Sequence, residues 1–363
     1  MNGKQVMMFG SNSYLGLTNH PELKEASKKA IDKYGSGCAG SRFLNGTLDL
    51  HLELERELAD FVGKEEALVF STGYQVNLGV ISSIAGRKDA IFMDEFDHAC
   101  IIDGSRLSFA ERRKFKHNDL VDLEKKLNLH ADAELKLITV DGVFSMEGDI
   151  CDLPGIVEVA NRHNATVMVD DAHGLGVLGK LGKGTSDHFD LTDEVGLIMG
   201  TFSKSLASIG GFIASDSDTI NYLKHKARSL IFSASIAPGN AASVLAALRL
   251  MRNEPHHVAN LWSNTNYAMK LFRDRGFDIG HTQTPIIPVY VRDDIKTFQL
   301  TAMLQEAGVF VNPVVSPAVP ADSTLIRFSL MATHTHDQIG FAVEQIDKLF
   351  TQLDIPKMQK IEA

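Results

Sequence analysis

The sequence predicts a doubly wound α/β domain followed by a smaller α+β domain. Two observations carry this. Short, nearly uninterrupted apolar strands alternate with amphipathic helices through the middle of the chain, as in a parallel sheet covered on both faces. After Pro238 the alternation gives way to long helical patterns and a few short strands. In order, residues 67–71 read as a strand, Thr72-Gly73 as a turn, and the next stretch to about residue 85 as a helix. Residues 90–93 form a strand with a helix after His98, and residues 135–140 form the next strand. Pro154 is expected at the first position of a helix, where its missing N–H costs nothing. Residues 166–170, 195–200 and 211–215 complete the sheet. The later part reads as helices over 240–252 and 256–275, strands over 286–291, 309–312 and 325–329 around a helix over 296–306, and a last helix over 337–353. The expected division is an N-terminal segment 1–40, a large domain 41–240 and a C-terminal domain 241–363.

Composition narrows the function classes. The 363 residues carry 36 basic and 46 acidic side chains, a formal charge of −10 that disfavours a nucleic-acid partner. Three cysteines, Cys38, Cys100 and Cys151, stand far apart, which excludes a disulfide framework and a structural zinc site and fits a reducing, cytoplasmic setting. No apolar run approaches the ~18 residues of a membrane span. His256-His257 and His334-Thr335-His336 have too few co-ligands for a metal, and none is expected. The basic stretch 112–116 reads as a solvated strand.

Ligands of open parallel sheets gather beyond the carboxyl ends of the strands, and polar residues cluster there. Thr72-Gly73-Tyr74 opens a helix, whose free N–H groups and dipole suit a phosphate, although glycine at such a turn is also routine geometry. Asp170-Asp171-Ala172-His173 ends a buried strand in two carboxylates and an imidazole. That run suits a metal, a protonated heterocyclic nitrogen, or simply a helix cap beside a solvated carboxylate. In Thr201-Phe202-Ser203-Lys204, the lysine is a candidate Schiff-base nucleophile and general base, and the hydroxyls can serve a phosphate. A phosphate cradle, an acid for a ring nitrogen and a lysine for an aldehyde are together the handles of pyridoxal 5′-phosphate. His98 is placed to stack on its ring, or else only to start a helix.

Several stretches in order strengthen this: 12–17 (NSYLGL), 35–42 (GSGCAGSR), Gly46-Thr47 with His51, 71–74 (STGY), 142–149 (GVFSMEGD), 170–174 (DDAHG) and 200–204 (GTFSK). Together they resemble the α-oxoamine synthases, which condense an amino acid with an acyl-CoA. The resemblance implies fold type I of the pyridoxal-phosphate-dependent transferases, with a mostly parallel seven-stranded sheet. It implies that Lys204 holds the cofactor and moves the Cα proton, that Asp170 pairs with the pyridine nitrogen, that His98 stacks on the ring and that His173 bonds the phenolic oxygen. Thr72, Gly73 and Tyr74 would wall the cofactor, Thr201 and Ser203 would serve its phosphate, and Ser233 would reach across a homodimer with shared active sites. Ser145 is implied near the cofactor and substrate, Asn12 near the substrate, and Arg327 on the substrate carboxylate. Residues 37–51 and 317–320 look most like the branch that joins L-serine to palmitoyl-CoA, with the glycine-acetyl-CoA and 8-amino-7-oxononanoate branches as alternatives. Peripheral attachment to the inner membrane is compatible with such a substrate. Two departures stand out: Val315-Ser316 where some members of that branch have an arginine, and a start almost directly at Asn12 where family chains carry a further helix.

Overall fold

A computed structural model describes residue 3 and residues 5–358, in two compact units. The larger comprises Leu17–Phe144 and Cys151–Glu254; the smaller comprises Ser145–Ile150 with the described residues before Leu17 and after Glu254.

The larger unit is built on a seven-stranded sheet. Its spatial order is Glu66–Phe70, Gly211–Ser215, Leu197–Thr201, Thr166–Asp170, Lys136–Asp141, Ala90–Asp94 and Glu111–Phe115. The pairings from Leu197–Thr201 across to Glu111–Phe115 are parallel, and the two made by Gly211–Ser215 are antiparallel. The central strands are buried along their whole length, which is why they read as apolar runs rather than alternating ones. Glu111–Phe115 is an edge strand whose exposed charges discourage pairing with another sheet, so the basic stretch lies on a solvated strand as expected.

Helix starts are marked by side-chain caps. Thr72, Asp119, Asp152 and Asp216 each accept the N–H three residues on. Because Asp152 is the cap, the helix Leu153–His163 begins one residue before the expected Pro154, and the proline takes the second position. A buried ion pair ties the helix Asp49–Val62 to the neighbouring strand. Arg42 holds both Glu55 oxygens, at 2.7 and 3.0 Å, and Glu55 also accepts the Val69 N–H at 2.8 Å.

The expected division of the chain differs from the two units. The seam after residue 240 falls inside the helix Pro238–Asn253, which packs on Pro21–Tyr34 and Asp49–Val62 of the same unit. The first forty residues are also divided: Met7–Met8 pairs with Val309–Phe310 in the smaller unit, whereas Pro21–Tyr34 belongs to the larger. No signal in local sequence distinguishes a helix that packs back from one that starts a new core.

In the smaller unit, Asn312–Val314, Leu325–Ser329 and Ile286–Tyr290 form an antiparallel sheet in that order. The single strand expected over 309–312 is thus two short ones in different sheets. The helices His256–Asp274, Asp294–Glu306 and His336–Gln352 accompany the sheet, the last opened by a Thr335–Gln338 capping box. Phe9 stacks on Phe328 at 4.3 Å, and His334 packs against Phe9 at the same centroid distance. The His334 ring accepts the Met331 N–H at Nδ1, which leaves Nε2 to donate to the Met8 carbonyl, each at 3.0 Å. Burial lowers its pKa to about 4 from an ordinary 6.5. The unfolded chain therefore binds the His334 proton first as pH falls, and the stability held above pH 6.5 is lost progressively down to about 4. Urea midpoints measured across that window are expected to fall, and to fall less steeply in His334→Gln.

Candidate active site

Three neighbouring parallel strands of the larger unit end in aspartate: Asp94, Asp141 and Asp170. Asp97 follows in the loop, and all four carboxyl groups are buried. Each is supplied with donors. Asp97 accepts the N–H groups of Asp94 and Asp141, at 3.0 and 2.9 Å. Asp94 accepts from Phe96 and Asn118 and faces His117 Nδ1 at 3.0 Å. Asp141 accepts the His98 N–H at 3.1 Å. Asp170 accepts the Ala172 N–H at 3.0 Å and the Asn77 side-chain amide at 2.6 Å. Burial, and then the neighbouring carboxylates, push Asp97 and Asp141 well above the usual range.

Lys204 lies just past the strand Leu197–Thr201, half-buried, and its charge lowers the pKa of His98, Cys100 and Asp141 alike. Of the two roles weighed for His98, the helix start is the one seen. Its Nδ1 caps the helix Ala99–Leu107 by accepting the Cys100 N–H at 3.2 Å, while its ring remains partly open. Desolvation lowers its pKa, with Asp170 opposing and Lys204 assisting, so it is a neutral imidazole near pH 7. His173 is buried in the turn after Asp170.

The helix Gly73–Ile84 starts against the same strands. A Cβ on Gly73 would lie 2.7 Å from Thr201 Oγ1 and 3.2 Å from Met199 Cε, so only glycine fits. The early N–H groups of this helix have no intrahelical acceptors. Around them stand Thr201 and Ser203, with hydroxyls 3.1 Å apart, and Ser233, which accepts from Gln75 Nε2 of the same chain at 3.1 Å. Gln75 Oε1 is buried without a partner. Tyr74 is turned outward and its hydroxyl bonds Asp103.

Three expected residues belong to the smaller unit. Arg327 is 4% exposed, yet its hydrogen-bond partners are all neutral. They are the Ser145 carbonyl at 2.6 Å, Asn12 Oδ1 at 2.9 Å, Ser329 Oγ at 2.8 Å and the Tyr14 hydroxyl at 3.4 Å. A buried cation held only by neutral groups suits an anionic ligand. Here Ser145 offers its backbone carbonyl, not its hydroxyl. Tyr14, Ser329, Asn77, Cys100, Asp97 and Asp141 were not singled out in the sequence. The available signals were the aspartates ending apolar strands and an asparagine on the buried face of a helix.

The class I and II aminotransferase family matches residues 4–346. The chain belongs to this family. It is 59% identical to a serine palmitoyltransferase of Sphingobacterium spiritivorum, over 99% of this chain and 90% of that protein. It is 60% identical to another from Bacteroides ovatus, over 98% and 90%. An 8-amino-7-oxononanoate synthase of Petrotoga mobilis is 44% identical over 96% and 89%. Among solved structures, the Sphingomonas wittichii serine palmitoyltransferase superposes with a TM-score of 0.95 at 38% identity, covering 98% of this chain and 90% of that one. A serine palmitoyltransferase structure containing pyridoxal phosphate gives 0.95 at 35%, covering 98% and 89%. The aminotransferase-family chain thus has fold type I of the pyridoxal-phosphate-dependent transferases. Its donor set fits that cofactor: a helix start with adjacent hydroxyls, a buried carboxylate held by two N–H donors, and a half-buried lysine.

The two adjacent aspartates of this aminotransferase-family site differ in role. Neither aspartate is the solvated one of the blander reading: Asp171 too is buried, and it accepts both the N–H and the hydroxyl of Thr185, at 2.7 and 2.6 Å. Burial pushes its pKa up to about 7. Gly142, Gly174 and Gly184 surround it so closely that a Cβ on any of them would collide with its carboxylate or with Thr185. Asp171→Ala leaves two buried Thr185 donors unpaired and is expected to cost about 2 to 4 kcal/mol in urea unfolding. Cofactor binding to the folded fraction should remain.

Proposed function

We propose that this enzyme condenses L-serine with a long-chain acyl-CoA, palmitoyl-CoA by preference, to give 3-ketodihydrosphingosine, CoA and CO2. The observation that carries the reading is 59–60% identity to the serine palmitoyltransferases of Sphingobacterium spiritivorum and Bacteroides ovatus, where 8-amino-7-oxononanoate synthases of Petrotoga mobilis and Lysinibacillus sphaericus reach 42–44%. Pyridoxal phosphate, when bound, supplies an electron sink for negative charge developing at the substrate Cα.

The chain's own residues take the remaining tasks. Lys204 would hold the cofactor at its aldehyde carbon, and its Nζ, once free, would take the proton from the serine Cα. With the cofactor bound, Asp170 would hold its ring nitrogen in the protonated form, His98 would pack against its ring, and His173 would bond its phenolic oxygen. The first turn at Thr72, Gly73 and Tyr74, with the hydroxyls of Thr201, Ser203 and Ser233, takes the phosphate. Arg327, steadied by Asn12 and the Ser145 carbonyl, takes the serine carboxylate.

The working form is a homodimer. Phe43, Leu44 and Phe232 are 54%, 78% and 72% exposed, and their segments are joined by the Ser235 N–H to Gly40 carbonyl bond. Such adjoining apolar groups suit a second copy. Among the described residues no helix is long and apolar enough to cross a membrane, and we place the enzyme in the cytoplasm. Measuring CoA release with acyl-CoAs from acetyl to stearoyl, each against serine, glycine and alanine, tests the assignment. Serine with palmitoyl-CoA should be among the best pairs, and Lys204→Ala should lower that rate by about a thousandfold or more. Preference for glycine or alanine with short chains would overturn the substrate assignment.

A further inference from the structure

We propose that Asn77 is a positioning residue that fixes Asp170 for its contact with the cofactor ring, an inference that rests on the pyridoxal-phosphate reading above. Asn77 is fully buried on the helix Gly73–Ile84. Its Nδ2 lies 2.6 Å from Asp170 Oδ2 and 2.9 Å from Cys100 Sγ, so both amide hydrogens are used. An ionised carboxylate can only accept, which requires the NH2 group, not Oδ1, to face Asp170. The consequence is that Oδ1 is buried with no hydrogen-bond partner. A residue selected to fill space alone would be apolar and would leave nothing unsatisfied.

What Asn77 gains is control of Asp170 from outside its own strand. The Ala172 N–H holds Oδ1 at 3.0 Å from the turn that follows the strand. Asn77 holds Oδ2 from the facing helix, so the carboxylate plane is set from two directions. The same helix begins at Gly73, four residues before Asn77, and residues at that spacing share one face. The element whose first turn would hold the phosphate therefore holds, one turn later, the acid for the ring nitrogen. The separation of these two handles is then set by the helix pitch rather than by a loop. Cys100 carries the network on to the stacking ring, with Sγ 2.8 Å from His98 Nδ1.

The test uses the full-length protein, wild type against Asn77→Leu and Asn77→Asp, with circular dichroism as the check on folding. Asn77→Leu keeps the volume and removes the donor; Asn77→Asp keeps the shape and turns an acceptor toward Asp170. Titration with pyridoxal phosphate should show a dissociation constant about tenfold or more weaker in both variants. The absorbance band of the bound cofactor should also shift, because the protonated ring nitrogen loses its fixed partner; a purely structural role would not move this band. Wild-type affinity and spectrum in Asn77→Leu would overturn the proposal. If Asn77→Leu fails to fold, the isosteric Asn77→Asp decides by the same two readouts. A wild-type protein that binds no pyridoxal phosphate overturns the cofactor reading itself, whereas binding by the wild type with indifferent variants overturns the role of Asn77 alone.

Discussion

The site depends on one electrostatic constraint: Asp94, Asp97, Asp141 and Asp170 lie buried together at the carboxyl ends of adjacent parallel strands. Four carboxylates this close in a medium of low polarity cannot all be charged. The fold resolves this by unequal provision. Asp97 and Asp141 receive backbone N–H groups but are pushed toward their neutral forms by burial and then by neighbouring carboxylates. Asp94 faces His117, while Asp170 receives a backbone N–H and an asparagine amide. The N–H of His98 is spent on Asp141 and its Nδ1 on Cys100, so the same network that manages the acids also orients the ring beside them.

Glycine makes this crowding possible. Gly73 admits the start of a helix against Thr201, and Gly142, Gly174 and Gly184 leave room for the carboxylate of Asp171. Adjacent residues on one strand end thereby take opposite tasks. Asp170 is held by the Asn77 amide and the Ala172 N–H, whereas Asp171 is locked to Thr185 beside the turn in which His173 sits. The glycines in these motifs mark places where backbone and side chain approach too closely for a Cβ.

Much of this was legible in the sequence for physical reasons. Strands buried on both faces announce themselves as apolar runs, so 166–170, 211–215 and 325–329 were located to the residue. Lys204, His98 and Asp170 were legible because charged or polar groups directly after such runs are costly unless used. What stayed hidden was long-range. The division between units depends on Met7–Met8 finding Val309–Phe310 and on the helix Pro238–Asn253 packing back on Pro21–Tyr34. An asparagine on the buried face of a helix marks Asn77 as unusual, but its partner, 93 residues later, carries no local sign. The task of Asp171 stayed hidden because its partner, Thr185, lies 14 residues downstream at the start of a four-residue helix.

The central claim is that these groups converge on pyridoxal phosphate held by Lys204. Its most direct test is to load the full-length protein with the cofactor, reduce with borohydride, digest, and locate the phosphopyridoxyl group by mass spectrometry. The account predicts one predominant label, on Lys204. Labelling of a different lysine, or none above that of the unfolded chain, would contradict it.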